Sequence, residues 1–282
     1  MNIMQQTILD IFKNVSSILE KENIPYFGIA GTVLGAVRHK GFIPWDDDMD
    51  IVIPIEYWEK FINIISTSLP DHLELVNSMD IKHVPYFACV KITDKRTAAI
   101  EYSNLSYKDA YSGVWLDVFP ICGVGNDTVS KKKFIRKSKL FFLLDQGMRN
   151  LYKNTTHKAM KYLLSLICFP LQLIFPFNHY LKKSYELFKQ YPISNSIQTG
   201  TVWWPLHIDR HIYPSELFKH YVYIDFEDTQ IRCPADWKEY LTLAYGNYTQ
   251  LPPVENRNSG HDLAIVDFEH SYKDYQIGNY TV

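Results

Sequence analysis

Four carboxylates fall within five residues at Asp46, Asp47, Asp48 and Asp50, immediately ahead of the apolar run Ile51-Val52-Ile53-Pro54. Repulsion makes such a cluster costly beside an apolar strand unless a cation neutralises it, so a divalent metal held by oxygen ligands is the first chemistry it suggests. A solvated acidic turn or a helix cap is the plainer alternative. The β-branched residues that follow mark a strand, and on an extended strand Asp48 and Asp50 point to the same side. These two are the expected metal ligands, with Asp46 and Asp47 as supports or turn residues.

A phosphate-binding element precedes the acids. Tyr26 to Ala30 reads as an apolar strand, and Gly31-Thr32 opens the short segment that ends in Arg38. A small-residue turn after a strand lets backbone N–H groups approach a phosphate, and the start of the following helix favours the anion. The planar fork of Arg38 matches phosphate oxygens, with a surface ion pair as its alternative.

With these residues in view, Gly31 to Asp50 resembles the signature of the LicD family. That family includes bacterial phosphocholine transferases and fukutin-type proteins, and it lies within the nucleotidyltransferase-like superfamily. The superfamily pattern implies a third acid on a later strand, which Asp117 in Gly113-Val114-Trp115-Leu116-Asp117-Val118-Phe119-Pro120 matches best. The resemblance therefore implies Asp48, Asp50 and Asp117 as catalytic and metal-binding residues, with Asp117 a shared ligand or the base for an acceptor hydroxyl. A weaker C-terminal match runs from Tyr240-Leu241 through Tyr245-Gly246-Asn247-Tyr248 and Pro252-Pro253 to Arg257 and His261, and it implies a site lined by this tail. Relatives often carry another aspartate shortly after the Phe-Pro pair, where this chain has Ile121-Cys122-Gly123, so no acid role falls there.

Other residues are candidates for contact with a substrate. Lys91 and Arg96 flank Asp94 near a turn, placed either to touch phosphate or to pair with acidic neighbours. Trp45 beside the acids and Trp115 beside Asp117 are candidates for an aromatic wall around a choline-like cation, although tryptophan also serves as plain core.

The elements that must position these residues read as α+β: a nucleotidyltransferase-like mixed β-sheet flanked by helices, with a helical insertion. Apolar residues at three- and four-residue steps predict a helix over Thr7 to Lys21, and a second over Ile55 to Leu69 ended by Pro70. Strands are expected at Asp48 to Ile53, Leu73 to Val76, Tyr86 to Ile92, Thr97 to Tyr102 and Val114 to Phe119, and again at Val222 to Phe226 and Gln230 to Cys233. Pro234 suits the first turn of a helix running to about Tyr245, with Gly246 as its stop. This divides the chain into a catalytic core over 1–126, a helical insertion over 127–200 and a segment over 201–282 that completes the core.

The insertion is Lys-rich, from the basic face Lys131 to Lys139 onward, and contains the apolar run Leu163 to Phe177, broken by Pro170 and Pro176. That run is too short for a membrane span. Either its apolar faces pack on each other, or they lie in the headgroup zone of the inner membrane surface with Lys158, Lys161, Lys182 and Lys183 beside anionic lipid, which would suit a lipid-linked acceptor.

The net charge of −2 gives no global field for nucleic acid, so none is expected as a partner. Cys89, Cys122, Cys168 and Cys233 lack Cys-x-x-Cys spacing and read as buried thiols. The first residues show no secretory signal, which with the thiols points to the cytoplasm. The resemblance implies a transferase that uses Mg2+, with Mn2+ as a substitute, to move phosphocholine from a CDP-alcohol donor to a sugar hydroxyl of a surface glycan, releasing CMP. A nucleotidyltransferase releasing pyrophosphate and a non-catalytic regulator of glycan phosphorylation are the alternatives.

Overall fold

The N-terminal helix shows how local sequence becomes packing. Asn2 and Gln5 cap it reciprocally, and α1 (Ile3–Lys21) buries Ile8, Ile11, Phe12, Val15 and Leu19 on one side. The computed structural model describes every residue except 85–86, 150–157, 203–204 and 277–282. After α1 come β1 (Phe27–Gly28), α2 (Ala30–His39), β2 (Asp50–Pro54), α3 (Trp58–Ser68), β3 (Leu73–Asn77), β4 (Val90–Asp94), β5 (Ala98–Glu101) and β6 (Trp115–Gly123). Three helices follow, α4 (Thr128–Met148), α5 (Lys158–Gln172) and α6 (His179–Lys189). The chain then returns to strands in β7 (Gln198–Thr201), β8 (Ile212–Pro214), β9 (Tyr221–Phe226) and β10 (Thr229–Pro234), before α7 (Trp237–Tyr245) and β11 (Leu263–Asp267).

The main sheet runs β1-β2-β6-β4-β3, with β7 and β8 continuing from β6. β2 and β6 are parallel and the remaining pairs antiparallel, so the sheet is mixed and the architecture α+β. Every residue of β6 is buried, as expected of a strand paired on both edges and covered by helices on its faces. β4 pairs with the first half of β6, and β7 takes over the same edge at Ile121. The boundary drawn at residue 200 thus falls within β7, whose residues up to Thr201 pair with β6.

Beyond β8 the chain wraps back onto the N-terminal elements. The β9–β10 hairpin meets β1 and α2, α7 packs on α2, and β11 pairs with β5. All four cysteines are free and buried.

Several boundaries differ from those read in the sequence. Gly31 and Thr32 lie inside the first turn of α2, because the chain turns at Ala30, whose φ of 48° is left-handed. Asp48 precedes β2, which begins only at Asp50. Pro234 closes β10, and α7 begins after it, with the Asp236 carboxylate accepting from the Glu239 N–H at 3.1 Å. The strand expected from Tyr86 begins at Val90, and Tyr86 itself lies outside the described residues.

The helical insertion is anchored by a buried ion pair. Arg149, fully buried, donates through Nε to Asp145 at 2.7 Å, through Nη1 to the Ile81 carbonyl at 2.7 Å and through Nη2 to the Ser78 carbonyl at 2.8 Å. One side chain therefore ties the end of α4 to the segment after β3. Arg149→Leu leaves the buried Asp145 carboxylate without its counter-charge and removes the Arg149 donor from two carbonyls, and is expected to cost about 3–5 kcal/mol in denaturant unfolding. A loss below about 1 kcal/mol would show the anchor to be unimportant.

Candidate active site

The register of the central strands gathers the acids. Asp50 sits directly opposite Asp117 across the parallel β2–β6 pair, and Lys91 lies opposite Asp117 on the other flank. Neighbouring strands are about 4.8 Å apart, so the row Asp50, Asp117, Lys91 presents two carboxylates and an ammonium across three strands. Asp48 enters from the loop ahead of β2, and Asp46, Asp47 and Asp48 each offer a carboxylate oxygen within 4.8 Å of the others.

Three residues hold this loop and strand. Gln5 of α1 donates through Nε2 to the carbonyls of Asp46 at 2.9 Å and Ile43 at 3.2 Å. The Thr32 hydroxyl accepts from the Asp50 N–H at 2.8 Å, which locks α2 to the start of β2. Gly31 leaves room for Asp46, since a Cβ there would come to 2.7 Å from its Oδ2. The expected phosphate turn is thus a helix start that a carboxylate already approaches, the arrangement that the positive end of a helix favours. Ala30, the left-handed residue at that start, donates its N–H to the Tyr240 hydroxyl at 2.8 Å.

The cluster is electrostatically unfavourable without a counter-charge. Burial, and then the charges of Asp48, Asp117 and Asp46, push the Asp50 carboxyl well above the usual range, with Lys91 opposing. Asp48 is pushed up to about 7 by burial and by Asp46, and Asp46 is raised mainly by burial. Burial works against a charged His261, but its hydrogen bond to Asp47 at 3.1 Å and the charge of Asp48 raise it to about 9. At neutral pH His261 is therefore a cation beside the acids.

Asp117 is held by its own strand: Trp115 donates Nε1 to Oδ2 at 2.7 Å, and the Cys89 thiol approaches Oδ1 at 3.5 Å. Trp115 also carries the Lys91 ammonium 3.4 Å from its ring centroid and meets the edge of His261.

A second group of residues is cationic. The Arg257 guanidinium stacks over Trp45 at 5.2 Å and donates to the Pro252 carbonyl at 2.9 Å. Arg38 donates to the Tyr248 carbonyl at 3.2 Å and to His39 at 3.0 Å. Burial and the nearby charge of Arg257 lower the Arg38 pKa, with Tyr245 opposing. Among the described residues neither guanidinium has a carboxylate within salt-bridge distance. Desolvation of the Tyr245 hydroxyl raises its pKa, and the charges of Asp50, Asp46 and Asp48 add to the effect, although the residue as a whole is 44% exposed.

Arg96 takes another role. Its guanidinium grips Asp94 through Nε at 2.9 Å and Nη2 at 2.5 Å, closing the turn between β4 and β5, so its fork is already occupied. Trp45 and Trp115 each present one ring face to a cation of the chain itself, Arg257 and Lys91 respectively. Gln5 is not singled out by the sequence, where it is an isolated polar group on an apolar helix face. Cys89 is read there only as a buried thiol and Tyr240 only as part of the C-terminal match, not as the partner of Ala30.

The sequence profile described as LicD/FKTN/FKRP, nucleotidyltransferase domain, matches residues 23–178, more than half of the chain. The chain belongs to the LicD family. The matched span holds the acid loop, Lys91 and Asp117, while Arg257 and His261 lie beyond it. Among similar proteins, a lipopolysaccharide cholinephosphotransferase LicD from Haemophilus influenzae is 28% identical over 267 residues, spanning 91% of this chain and 94% of that protein. An uncharacterized protein of Rickettsia prowazekii is 33% identical over 111 residues, 37% of this chain and 40% of its own length. Similarity to the Haemophilus influenzae relative therefore spans most of this LicD chain.

Two outcomes follow from the geometry. Raised carboxyl pKa values favour the cation-free fold at low pH, and that stability is lost as pH rises through about 7, the value of Asp48. A divalent ion binds the deprotonated acids, so the rise in melting temperature on adding Mg2+ or Mn2+ should grow from pH 6 to pH 8; a pH-independent rise would contradict this. Tyr240→Phe removes the acceptor that holds Ala30, and it should cost on the order of 1 kcal/mol in unfolding free energy. Ala30→Gly, which tolerates the left-handed backbone, should recover part of that loss in the double variant; strict additivity would separate the two residues.

Proposed function

We propose that this chain transfers a phospho-alcohol group, phosphocholine first among candidates, from a CDP-linked donor to a sugar hydroxyl of a surface glycan, releasing CMP. The carrying observation is a repulsive carboxylate group with a guanidinium pair beside its loop: Arg257 lies over Trp45, next to Asp46, and Arg38 is near Arg257, and among the described residues neither has a carboxylate within salt-bridge distance. A pyrophosphate with its counter-ion satisfies both. The relative that spans nearly the whole chain is a lipopolysaccharide cholinephosphotransferase, which supports phosphocholine and a glycan as the substrate class.

The donor set is all oxygen and anionic, which fits Mg2+ or Mn2+. Asp48, Asp50 and Asp117 would hold it, with Asp46 and Asp47 adjacent, and when bound it would neutralise the donor's pyrophosphate oxygens. Arg38 and Arg257 grip the phosphates from the other side. In the transfer, the acceptor oxygen bonds to the phosphorus bearing the alcohol, the bridging P–O bond breaks, and CMP leaves with the bond electrons. The hydroxyl proton passes to a carboxylate, a role open to Asp50, whose pKa is raised by burial and neighbouring acids, or to Asp117 on the adjacent strand. Charged at neutral pH, His261 is a poor base and serves as electrostatic support beside Asp47 and Asp48.

Purified protein supplied with CDP-choline, Mg2+ and a lipopolysaccharide or teichoic acid acceptor should release CMP and label the glycan. Asp50→Asn and Asp117→Asn should lower kcat by on the order of a thousandfold, and Arg38→Ala or Arg257→Ala should act chiefly on KM for the donor. Since the matched profile is that of a nucleotidyltransferase domain, the competing chemistry is attack on the α-phosphate of an NTP. Release of pyrophosphate from an NTP, with no CMP from CDP-choline, CDP-ribitol or CDP-glycerol, would replace the proposal by that reading.

A further inference from the structure

Among the described residues, no helix is long and apolar enough to cross a membrane. α5 is nevertheless strongly apolar on its outer side. Leu163, Leu166, Ile167 and Phe169, with Leu173 and Ile174 in the turn after it, are between 47% and 75% exposed. Their spacing of three, four and seven residues places them in adjacent stripes on one face. The opposite face is the one that packs: Cys168 is buried and its thiol points to the Leu144 carbonyl, while Gln172 Nε2 donates to the Gly147 carbonyl at 3.1 Å. An apolar patch of this kind on a soluble surface marks an interaction site.

Charge identifies what covers it. From residue 150 to residue 185 the chain has no Asp or Glu, and it carries Lys153, Lys158, Lys161, Lys182 and Lys183. Lys182 and Lys183 are exposed on α6, which follows the apolar face in the chain. A second copy docked face to face would bring two such acid-free basic segments together. An anionic bilayer complements both features, taking the apolar side chains into the headgroup boundary and the lysines beside lipid phosphate.

We infer that α5 is an interfacial helix that docks this protein on an anionic lipid surface. The inference goes beyond the transfer reaction and does not depend on it, because lipid binding is measured without turnover. Full-length protein should float with vesicles of equal parts phosphatidylcholine and phosphatidylglycerol, weakly or not at all with phosphatidylcholine alone, and less at high salt. Leu166→Ser/Phe169→Ser/Leu173→Ser should lower vesicle affinity at least about tenfold while the circular-dichroism melt stays unchanged. Lys182→Glu/Lys183→Glu, on an exposed surface, should weaken binding to the anionic vesicles even if the apolar variant folds poorly. Equal binding by the wild type and both variants, or no vesicle binding at all, would overturn the inference. So would a concentration-dependent dimer that the serine variant abolishes, since α5 would then be an interface between copies.

Discussion

Repulsion among the carboxylates around Asp50 is the constraint on which the rest of the site depends. Two of them are forced together by strand register, Asp50 against Asp117, and three more, Asp46, Asp47 and Asp48, arrive on the loop that leads into β2. Such an arrangement is sustained only because surrounding groups hold the backbone and supply positive charge. Thr32 and Gln5 supply the first, Lys91 and His261 the second. The fold thus spends core positions on residues whose main effect is to keep acids close.

That arrangement explains the long return of the chain. The strands and helix after residue 201 add little to the main sheet beyond β7 and β8, yet they bring Tyr240 to the start of α2 and Arg257 to Trp45. Pairing of β11 with β5 follows directly after His261 and fixes the tail beside the turn that leaves β4. The insertion has a different logic. It is secured by a buried ion pair at Arg149, packs through one side of α5, and leaves the other side apolar and exposed.

Much of the site was legible because its local signals are strong. An acid run before a β-branched strand, and a single carboxylate within the buried strand around Asp117, stand out against their apolar settings, and alternation assigns Asp50 its side. Asp48 was misplaced onto the strand because nothing in Asp46-Asp47-Asp48-Met49 marks where extended pairing begins; the pairing partner Asp117 decides it. The groups that hold the site were illegible for another reason. Gln5 to Asp46 spans 41 residues and Ala30 to Tyr240 spans 210, and each such residue looks locally like an ordinary helix position. His261 and Arg257 were reached only through resemblance to a family. Arg96 shows the reverse case, where a local ion pair within one turn outcompetes the distant role its type suggests.

The proposed activity rests on one charge-dense centre, built by β2 and β6, that would accept a divalent ion between Asp48, Asp50 and Asp117. Anomalous diffraction from crystals grown with Mn2+ and a cytidine nucleotide tests it most directly. A manganese peak in contact with Asp50 and Asp117 is expected, with nucleotide phosphate between it and Arg38. A peak confined to Asp46 and Asp47, or nucleotide bound elsewhere with no manganese at the β2–β6 strands, would contradict it.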